Sequence, residues 1–197
     1  MKKTSLLVST VLFLFAGLAQ AHGPVRAKMT ATITVDAPAA EVWDLIKNYD
    51  DMSWHPAIKS VKGEGTNSKG AIRTLTLAHG TITEELKAYD AAKMTYKYKI
   101  TDMSSTGTIK HAGQDEALPV LPVGNYAAEL SVNDKGGKAE IEWVATYYRA
   151  YVNNNPPAEL NEEAADKAVG NVLKSGLEAI AKKVGSGAAA VEIDIKR

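Results

Sequence analysis

The segment 36–59, DAPAAEVWDLIKNYDDMSWHPAIK, constrains the fold more than any other part of the chain. Asp36 suits the cap of a helix, and Pro38 suits its first turn, where a missing N–H group costs nothing. A short polar break follows, and we expect a second short helix around 54–57. Together these features predict a strand followed by two short helices. The apolar stripe of the first helix consists of Val42, Trp43, Ile46 and Tyr49.

The N-terminal residues have the features of a secretory signal peptide. Lys2 and Lys3 precede an apolar run at 6–16, and Ala19-Gln20-Ala21 resembles a cleavage site. The apolar run is too short to span a membrane, and the chain contains no cysteine for a lipid anchor or a disulfide. We therefore predict that residues 1–21 are a signal peptide and that the mature protein is periplasmic, with no stable membrane anchor.

The charge composition argues against nucleic acid as a partner. The chain has 23 basic and 23 acidic residues, and no dense basic run. Both phenylalanines, Phe13 and Phe15, lie in the predicted signal peptide. The mature domain therefore relies on three tryptophans and eight tyrosines, whose polar atoms need partners when they are buried.

Alternation of apolar and polar residues predicts seven strands. Neighbouring strands are joined by short turns such as His79-Gly80, so we expect them to be antiparallel. Residues 160–184 then change to helical periodicity and predict one long amphipathic helix. The tail 187–197 alternates again and either frays or adds an edge strand. The seven predicted strands are 28–35, 57–65, 71–78, 81–89, 94–101, 126–132 and 139–148.

This order predicts an α+β helix-grip domain at 22–186, with a curved antiparallel seven-stranded sheet around the long C-terminal helix. The segments VWDLIKNYDDMSWHPAIKSVK and RTLTLAHGTITEEL resemble the START-like, Bet v 1-like superfamily, also called SRPBCC or polyketide-cyclase-type proteins. More narrowly, AHGP, WHPAIKS, RTLTL, LPVGNYAAELSV and YYRAY resemble the periplasmic MxaD-type proteins. That resemblance implies a non-enzymatic accessory of a periplasmic methanol dehydrogenase, which is a quinoprotein, and of its cytochrome c.

Sequence motifs provide no catalytic set and no cofactor site. The chain lacks a nucleophile elbow, a phosphate-binding loop and a zinc-binding helix motif. Its histidines, His22, His55, His79 and His111, are widely separated. As the mature N-terminus, His22 would offer an amine and an imidazole to copper, but no second histidine pairs with it visibly. We expect no metal and no cofactor.

Candidate site residues come from the helix pair and from the strands. His55 is either a capping residue of the Trp54 turn or a polar contact for a ligand. Arg73 and Glu84 lie on neighbouring predicted strands and form a plausible internal ion pair. The candidates for lining an internal cavity are Trp43, Trp54, His55, Arg73, Tyr96, Tyr98 and Tyr147.

The connector 102–121 lacks clear periodicity but ends in an apolar, proline-rich run. We expect it to pack as a lid near Trp54 and His55, with Val120 and Leu121 as candidate contacts for a partner protein. Three functions remain open at this point. The first is the MxaD-type accessory, the second is a periplasmic carrier of a small hydrophobic or amphiphilic ligand, and the third is a cyclase or hydratase enzyme. We favour the first.

Overall fold

The computed structural model describes residues 23–187 and 190–197. The predicted signal peptide at 1–21 and His22 lie outside these residues. The main element is an antiparallel sheet of eight strands in the order β10-β1-β9-β8-β5-β4-β3-β2. Its strands are β1 (Ala27–Val35), β2 (Ser60–Glu64), β3 (Ile72–Thr76), β4 (Thr81–Asp90), β5 (Thr95–Met103), β8 (Val123–Asp134), β9 (Ala139–Arg149) and β10 (Glu192–Lys196).

Seven of these strands are the predicted ones, and the eighth is the tail. Strand β10 pairs with β1 in antiparallel register, with Ile195 opposite Met29 and Ile193 opposite Ala31. The tail therefore extends the sheet as an edge strand. Of the two alternatives that the sequence left open for the tail, an edge strand or a frayed end, the structure shows the edge strand.

The connector forms a separate hairpin that the sequence did not reveal. Strand β6 (Ser105–His111) pairs with β7 (Gln114–Pro119), and the turn between them has positive φ angles at Ala112 and Gly113. Such a two-residue turn matches the twist of paired strands. Both faces of the hairpin are largely exposed, so no apolar alternation marks its strands in the sequence.

Helix α1 (Ala39–Ile46) is present, but its start differs from the prediction. Asp36 does not cap the helix; its carboxylate forms an ion pair with Lys138 at 2.6 Å. Pro38 occupies the cap position without a side-chain hydrogen bond. The second predicted short helix is a run of turns, in which the N–H groups of His55 and Ile58 donate to the carbonyls of Met52 and His55.

Helix α2 (Glu162–Lys183) lies against the concave face of the sheet and contacts β1 and β9 most. The side chain of Asn161 accepts a hydrogen bond from the Ala164 N–H group and caps its start. Gly185, at φ +70°, ends it, as is usual for a left-handed terminal residue. The buried stripe consists of Ala165, Val169, Leu173, Gly176, Leu177, Ile180 and Ala181.

The long helix predicted at 160–184 suggested that Val172 and Leu173 would be among its least exposed residues, and this is wrong for Val172. Leu173 is fully buried, but Val172 is only half-buried and lines the cavity described below. The helix-grip architecture itself is confirmed. Among residues 23–187 and 190–197, no helix has both the length and the apolar character needed to cross a membrane.

Replacing Leu173 with alanine tests the packing of α2. Its side chain is fully buried against the sheet, so we expect the free energy of unfolding to fall by about 2–5 kcal/mol. Urea unfolding followed by circular dichroism measures the change. Lys167→Ala, at an exposed position of the same helix, is the control and should change stability by less than about 0.5 kcal/mol. Equal stability of both variants would contradict this packing.

Candidate functional site

A buried ion pair lies at the centre of the domain. Arg73 on β3 and Glu84 on β4 are opposite each other in the sheet, and both point to the concave side. The Arg73 Nε–H group donates to Glu84 Oε2 at 2.6 Å, and Nη1 donates to the Tyr49 carbonyl at 2.7 Å. The predicted pair is therefore present. Because a charge removed from water is costly unless it is paired, both partners stabilise each other here.

Aromatic rings surround the guanidinium group. Its central carbon lies 4.1 Å from the centre of the Tyr49 ring and 5.0 Å from that of Tyr98. Such cation–π contacts strengthen when water is excluded. Burial also raises the pKa of Glu84, against the opposing effect of Arg73, and it raises the pKa of Tyr96 to about 12. The phenols of this cluster therefore stay protonated at neutral pH.

A small cavity lies beside the ion pair, between α2, the turns at 50–58 and the sheet. Its volume is about 40 Å³, which is the space of about one water molecule. Polar groups of His55, Glu84, Tyr98 and Tyr126 reach it among aliphatic side chains. The full lining is Met52, His55, Ala57, Ile58, Leu75, Leu77, Ile82, Glu84, Tyr98, Ile100, Leu121, Tyr126, Trp143 and Val172.

Several of these polar groups are held by hydrogen bonds. The Trp143 Nε1–H group donates to the Tyr98 hydroxyl oxygen at 3.0 Å. The His55 Nδ1 atom accepts from the Ala57 N–H group at 3.2 Å, so Nε2 carries the proton and donates to the Val172 carbonyl at 3.1 Å. His55 therefore connects the turn to α2. Burial lowers its pKa, and the Val172 contact partly opposes this effect.

The contact between His55 and α2 depends on a glycine in the helix. A Cβ atom at Gly176 would lie 2.7 Å from both His55 Cδ2 and Trp143 Cζ3, closer than carbon atoms approach each other. The imidazole and the indole therefore occupy the space that a side chain at 176 would need. Helix α2 can lie close to the turn and to β9 only because this residue is glycine.

The predicted cavity residues do not all meet in one place. His55 and Tyr98 line the cavity, and Arg73 lies against the rings of Tyr49 and Tyr98. Four others do not line the cavity, although two of them lie next to it. Trp54 packs against the rings of His55 and Trp143, and Tyr96 packs against that of Tyr98. Trp43 contacts Tyr89 and Tyr96, the Trp54 indole donates to the Asp51 carbonyl, and the Tyr147 hydroxyl donates to Asp166 Oδ1.

Two aromatic residues of the lining were missed by the sequence reasoning. Tyr126 lies on β8 and Trp143 on β9, and both are buried on the concave face. Alternation gave the side of the sheet on which each residue lies. Alternation does not tell which of the inward-facing residues lie next to the turns at 50–58. That proximity depends on the position of each residue along its strand.

The two predicted partner contacts differ from each other. Leu121 is buried and lines the cavity, so it belongs to the core and is not available to a partner in this structure. Val120 is half-buried and lines an open groove of about 590 Å³ at the surface. The other groove residues are Pro56, Ala57, Lys59, Leu77, Ala78, His79 and Thr106. Ala57 and Leu77 line both spaces, so the groove lies directly outside the cavity.

Within the described ranges, no group of three or more histidine and carboxylate side chains is placed to bind a metal ion.

The Tyr49 hydroxyl is buried and has no hydrogen-bond partner among the same residues.

Comparison with known proteins assigns the chain to a family. Residues 26–185 match the family model described as polyketide cyclase, dehydrase and lipid transport. The chain belongs to this family. No curated protein sequence matches the chain.

Solved structures with the same fold include proteins of different kinds. XoxI from Bacillus cereus is 22% identical with a TM-score of 0.61, over 80% of this chain and 94% of that chain. Ara h 8.0201 is 17% identical with a TM-score of 0.56, over 83% and 100%. Norcoclaurine synthase from Thalictrum flavum is 16% identical with a TM-score of 0.54, over 92% and 96%. At these identities the likeness concerns the fold alone.

The buried ion pair can be tested by removing its cation. Arg73→Met leaves the Glu84 carboxylate buried without its partner, and we expect a loss of about 3–5 kcal/mol in unfolding free energy. The double variant Arg73→Met/Glu84→Gln removes the unpaired charge and should recover part of that loss. Urea denaturation measures both.

The matched control is Lys110→Met, which breaks the exposed pair between Lys110 and Asp115 and should change stability little. A double variant less stable than Arg73→Met would contradict the role given to the charge.

The neutral state of His55 can be tested through pH. Its pKa in the folded protein lies below that of the unfolded chain, about 6.5, so the unfolded state takes up the proton first as the pH falls. The stabilisation by His55 is therefore complete above about pH 6.5 and is lost as the pH falls below it. His55→Gln should show a weaker decline than the wild type between about pH 7.5 and 5.5. His79→Gln, at an exposed position, should keep the wild-type decline.

Proposed function

We propose that the chain is a non-enzymatic periplasmic accessory of the MxaD type, which binds a methanol dehydrogenase or its cytochrome c through the groove at 56, 57, 59, 77–79, 106 and 120. One observation carries the proposal. The space between α2 and the sheet is filled by side chains, while an open groove with an apolar floor lies directly outside it. Binding is therefore best supported at the surface.

The volume of the interior weighs against a preformed carrier site. Sites for small molecules usually enclose about 300–1,000 Å³. The cavity beside Glu84 and Tyr98 has about 40 Å³. A ligand larger than a few atoms would have to displace core side chains. A protein partner at the groove requires no such rearrangement.

The groove is formed by segments that hold one another in place. The Val120 N–H group donates to the Ser104 carbonyl at 3.0 Å, and the Thr81 N–H group donates to Ser104 Oγ at 2.9 Å. A Cβ atom at Gly80 would lie 2.3 Å from the same oxygen, so glycine permits this close contact. A surface fixed in this way loses little conformational entropy when a partner binds.

The charge at the groove favours an acidic partner. Lys59 is exposed at the rim, and no ion pair involves it within the described part of the chain. An unpaired cation beside Pro56, Leu77 and Val120 makes a surface with an apolar centre and a positive edge. Carboxylates on the partner would increase the association rate and orient the complex.

The sequence resemblance to MxaD-type proteins supports the choice of partner class. The quoted segment WHPAIKS contains Pro56, Ala57 and Lys59, which lie in the groove. The segment RTLTL runs along β3 toward Leu77. The predicted signal peptide would deliver the protein to the compartment of such partners.

A carrier function is the second candidate, supported by a specific observation. Ala57 and Leu77 separate the cavity from the groove, and Glu84, Tyr98 and Tyr126 offer polar groups on the inner side. If these separating side chains moved, one continuous space would reach from the solvent to the ion pair. The family model includes lipid transport, which is consistent with such a route. Native mass spectrometry of protein from its own periplasm would detect a co-purifying ligand.

Val120→Ser tests the proposed docking surface. The substitution removes apolar contact at the groove, and we expect about fivefold to tenfold weaker binding to the dehydrogenase or the cytochrome, equivalent to about 1–1.4 kcal/mol. The melting temperature should stay nearly unchanged because Val120 is only half-buried. Surface plasmon resonance and the rate of cytochrome reduction by the dehydrogenase are the measurements.

Ile72→Ser is the matched control, since it removes an exposed apolar residue at the far end of β3. It should leave binding unchanged. Wild-type protein that binds neither partner and does not alter the reduction rate would refute the accessory function. A co-purifying ligand in that case would favour the carrier.

A further inference from the structure

Strand β10 forms an open edge of the sheet. It pairs with β1 on one side, and no strand among the described residues lies on its other side. The N–H and C=O groups on that outer side are available to another strand. Natural proteins usually block such edges, because they readily pair with a further chain. The residues that β10 presents therefore indicate what it accepts.

The edge strand is held firmly in position. Arg197, directly after β10, donates a hydrogen bond to Asp166 Oδ2 on α2. The other oxygen of Asp166 accepts from the Tyr147 hydroxyl at 2.8 Å. This chain of contacts ties the end of β10 to the long helix and to β9. The strand is thus ordered before any partner arrives.

Two isoleucines of β10 remain partly uncovered. Ile193 and Ile195 lie opposite Ala31 and Met29, so they face the concave side of the sheet. These two residues are 41% and 38% exposed. With Met29 and Gly170 they form the apolar floor of a groove of about 570 Å³ between β10 and α2. A strand added beyond β10 would place its own inward side chains beside this floor.

We propose that β10 pairs in antiparallel register with β10 of a second copy of this chain. The sequence of β10, EIDIK, is complementary to itself when the pairing is centred on Asp194. Glu192 then lies opposite Lys196 of the second copy, and Ile193 lies opposite Ile195 of the second copy. Two opposite-charge pairs and two isoleucine pairs form across the dyad. Such directly opposite pairs stabilise antiparallel strands.

The charges within one chain favour this register. Lys196 lies opposite Lys28 of β1, and like charges in directly opposite positions repel. Glu192 lies opposite Thr32 and forms no ion pair within the described residues. Pairing with a second copy gives Glu192 a cation and gives Lys196 a second carboxylate. Each Asp194, which meets its counterpart at the dyad, has the Lys196 ammonium of its own chain 3.4 Å away.

The length of β10 limits the strength of the dimer. Each copy contributes a strand of only five residues, so the contact is smaller than a standard stable interface. We therefore expect a weak, reversible dimer with a dissociation constant between roughly micromolar and millimolar.

Charge exchange gives a specific test. In Glu192→Lys, both cross-strand pairs become lysine opposite lysine, and in Lys196→Glu both become glutamate opposite glutamate. Each variant alone should dimerise at least about tenfold more weakly than the wild type. An equimolar mixture of the two variants should restore dimers, because every pair in the mixed dimer is then a lysine opposite a glutamate. Sedimentation velocity over a concentration series measures all three samples.

The outcomes separate this proposal from its alternatives. Lys196→Glu loses the exposed contact with Asp194 but gains an opposite charge across from Lys28, so its monomer should be about as stable as the wild type, and melting temperatures verify folding. Wild-type protein that stays monomeric to roughly millimolar concentration would overturn the proposal. Variants that dimerise as well as the wild type would place the dimer contact elsewhere, and a mixture that stays monomeric would exclude this register.

Discussion

The buried guanidinium group of Arg73 determines how the interior of this domain is filled. A charge that has lost its hydration needs compensation from every direction, and here it comes from separate parts of the chain. The Tyr49 carbonyl follows α1, Glu84 lies on β4, and the Tyr98 ring lies on β5. These contacts join the segment after the first helix to the centre of the sheet. The space that remains is about one water molecule in size.

Because the interior is filled by side chains, the candidate binding sites of this domain lie on its surface. The groove with Lys59 and Val120 lies beside β2 and β3, at one end of the strand order, and β10 forms the other end. Pairing of two copies through β10 would therefore leave both grooves free. In that arrangement one dimer presents two docking surfaces, and two weak contacts to the same assembly reinforce each other.

The sequence was sufficient for the features that depend on local periodicity. Seven strands and the long helix follow from alternation and from helical spacing. Neighbouring predicted strands made the Arg73–Glu84 pair plausible, and the register of β3 against β4 shows that the two residues are opposite each other. Features that depend on tertiary competition were not predictable. Asp36 is a good helix cap in isolation, but Lys138 of a distant turn takes its carboxylate. The β6–β7 hairpin has no covered face and hence no apolar pattern.

The candidate site likewise combines residues that local patterns could identify with residues that depend on tertiary packing. The helix pair suggested His55 and the strand alternation suggested Tyr98, and both line the cavity. The same two patterns also suggested Trp43 and Tyr147, which do not line it. The difference lies in position along each strand and in how the rings fill space. Both depend on side-chain packing of the complete fold, which pattern reasoning does not include.

Gly176 is a position at which one substitution would change the packing around the cavity. The spacing between the long helix and the turn depends on one missing methyl group, because the His55 and Trp143 rings occupy its place. A lineage that acquired a side chain there would have to displace these rings, and the cavity beside them would be the first space to grow. A single substitution at this position would therefore act directly on the cavity, because His55 and Trp143 both line it.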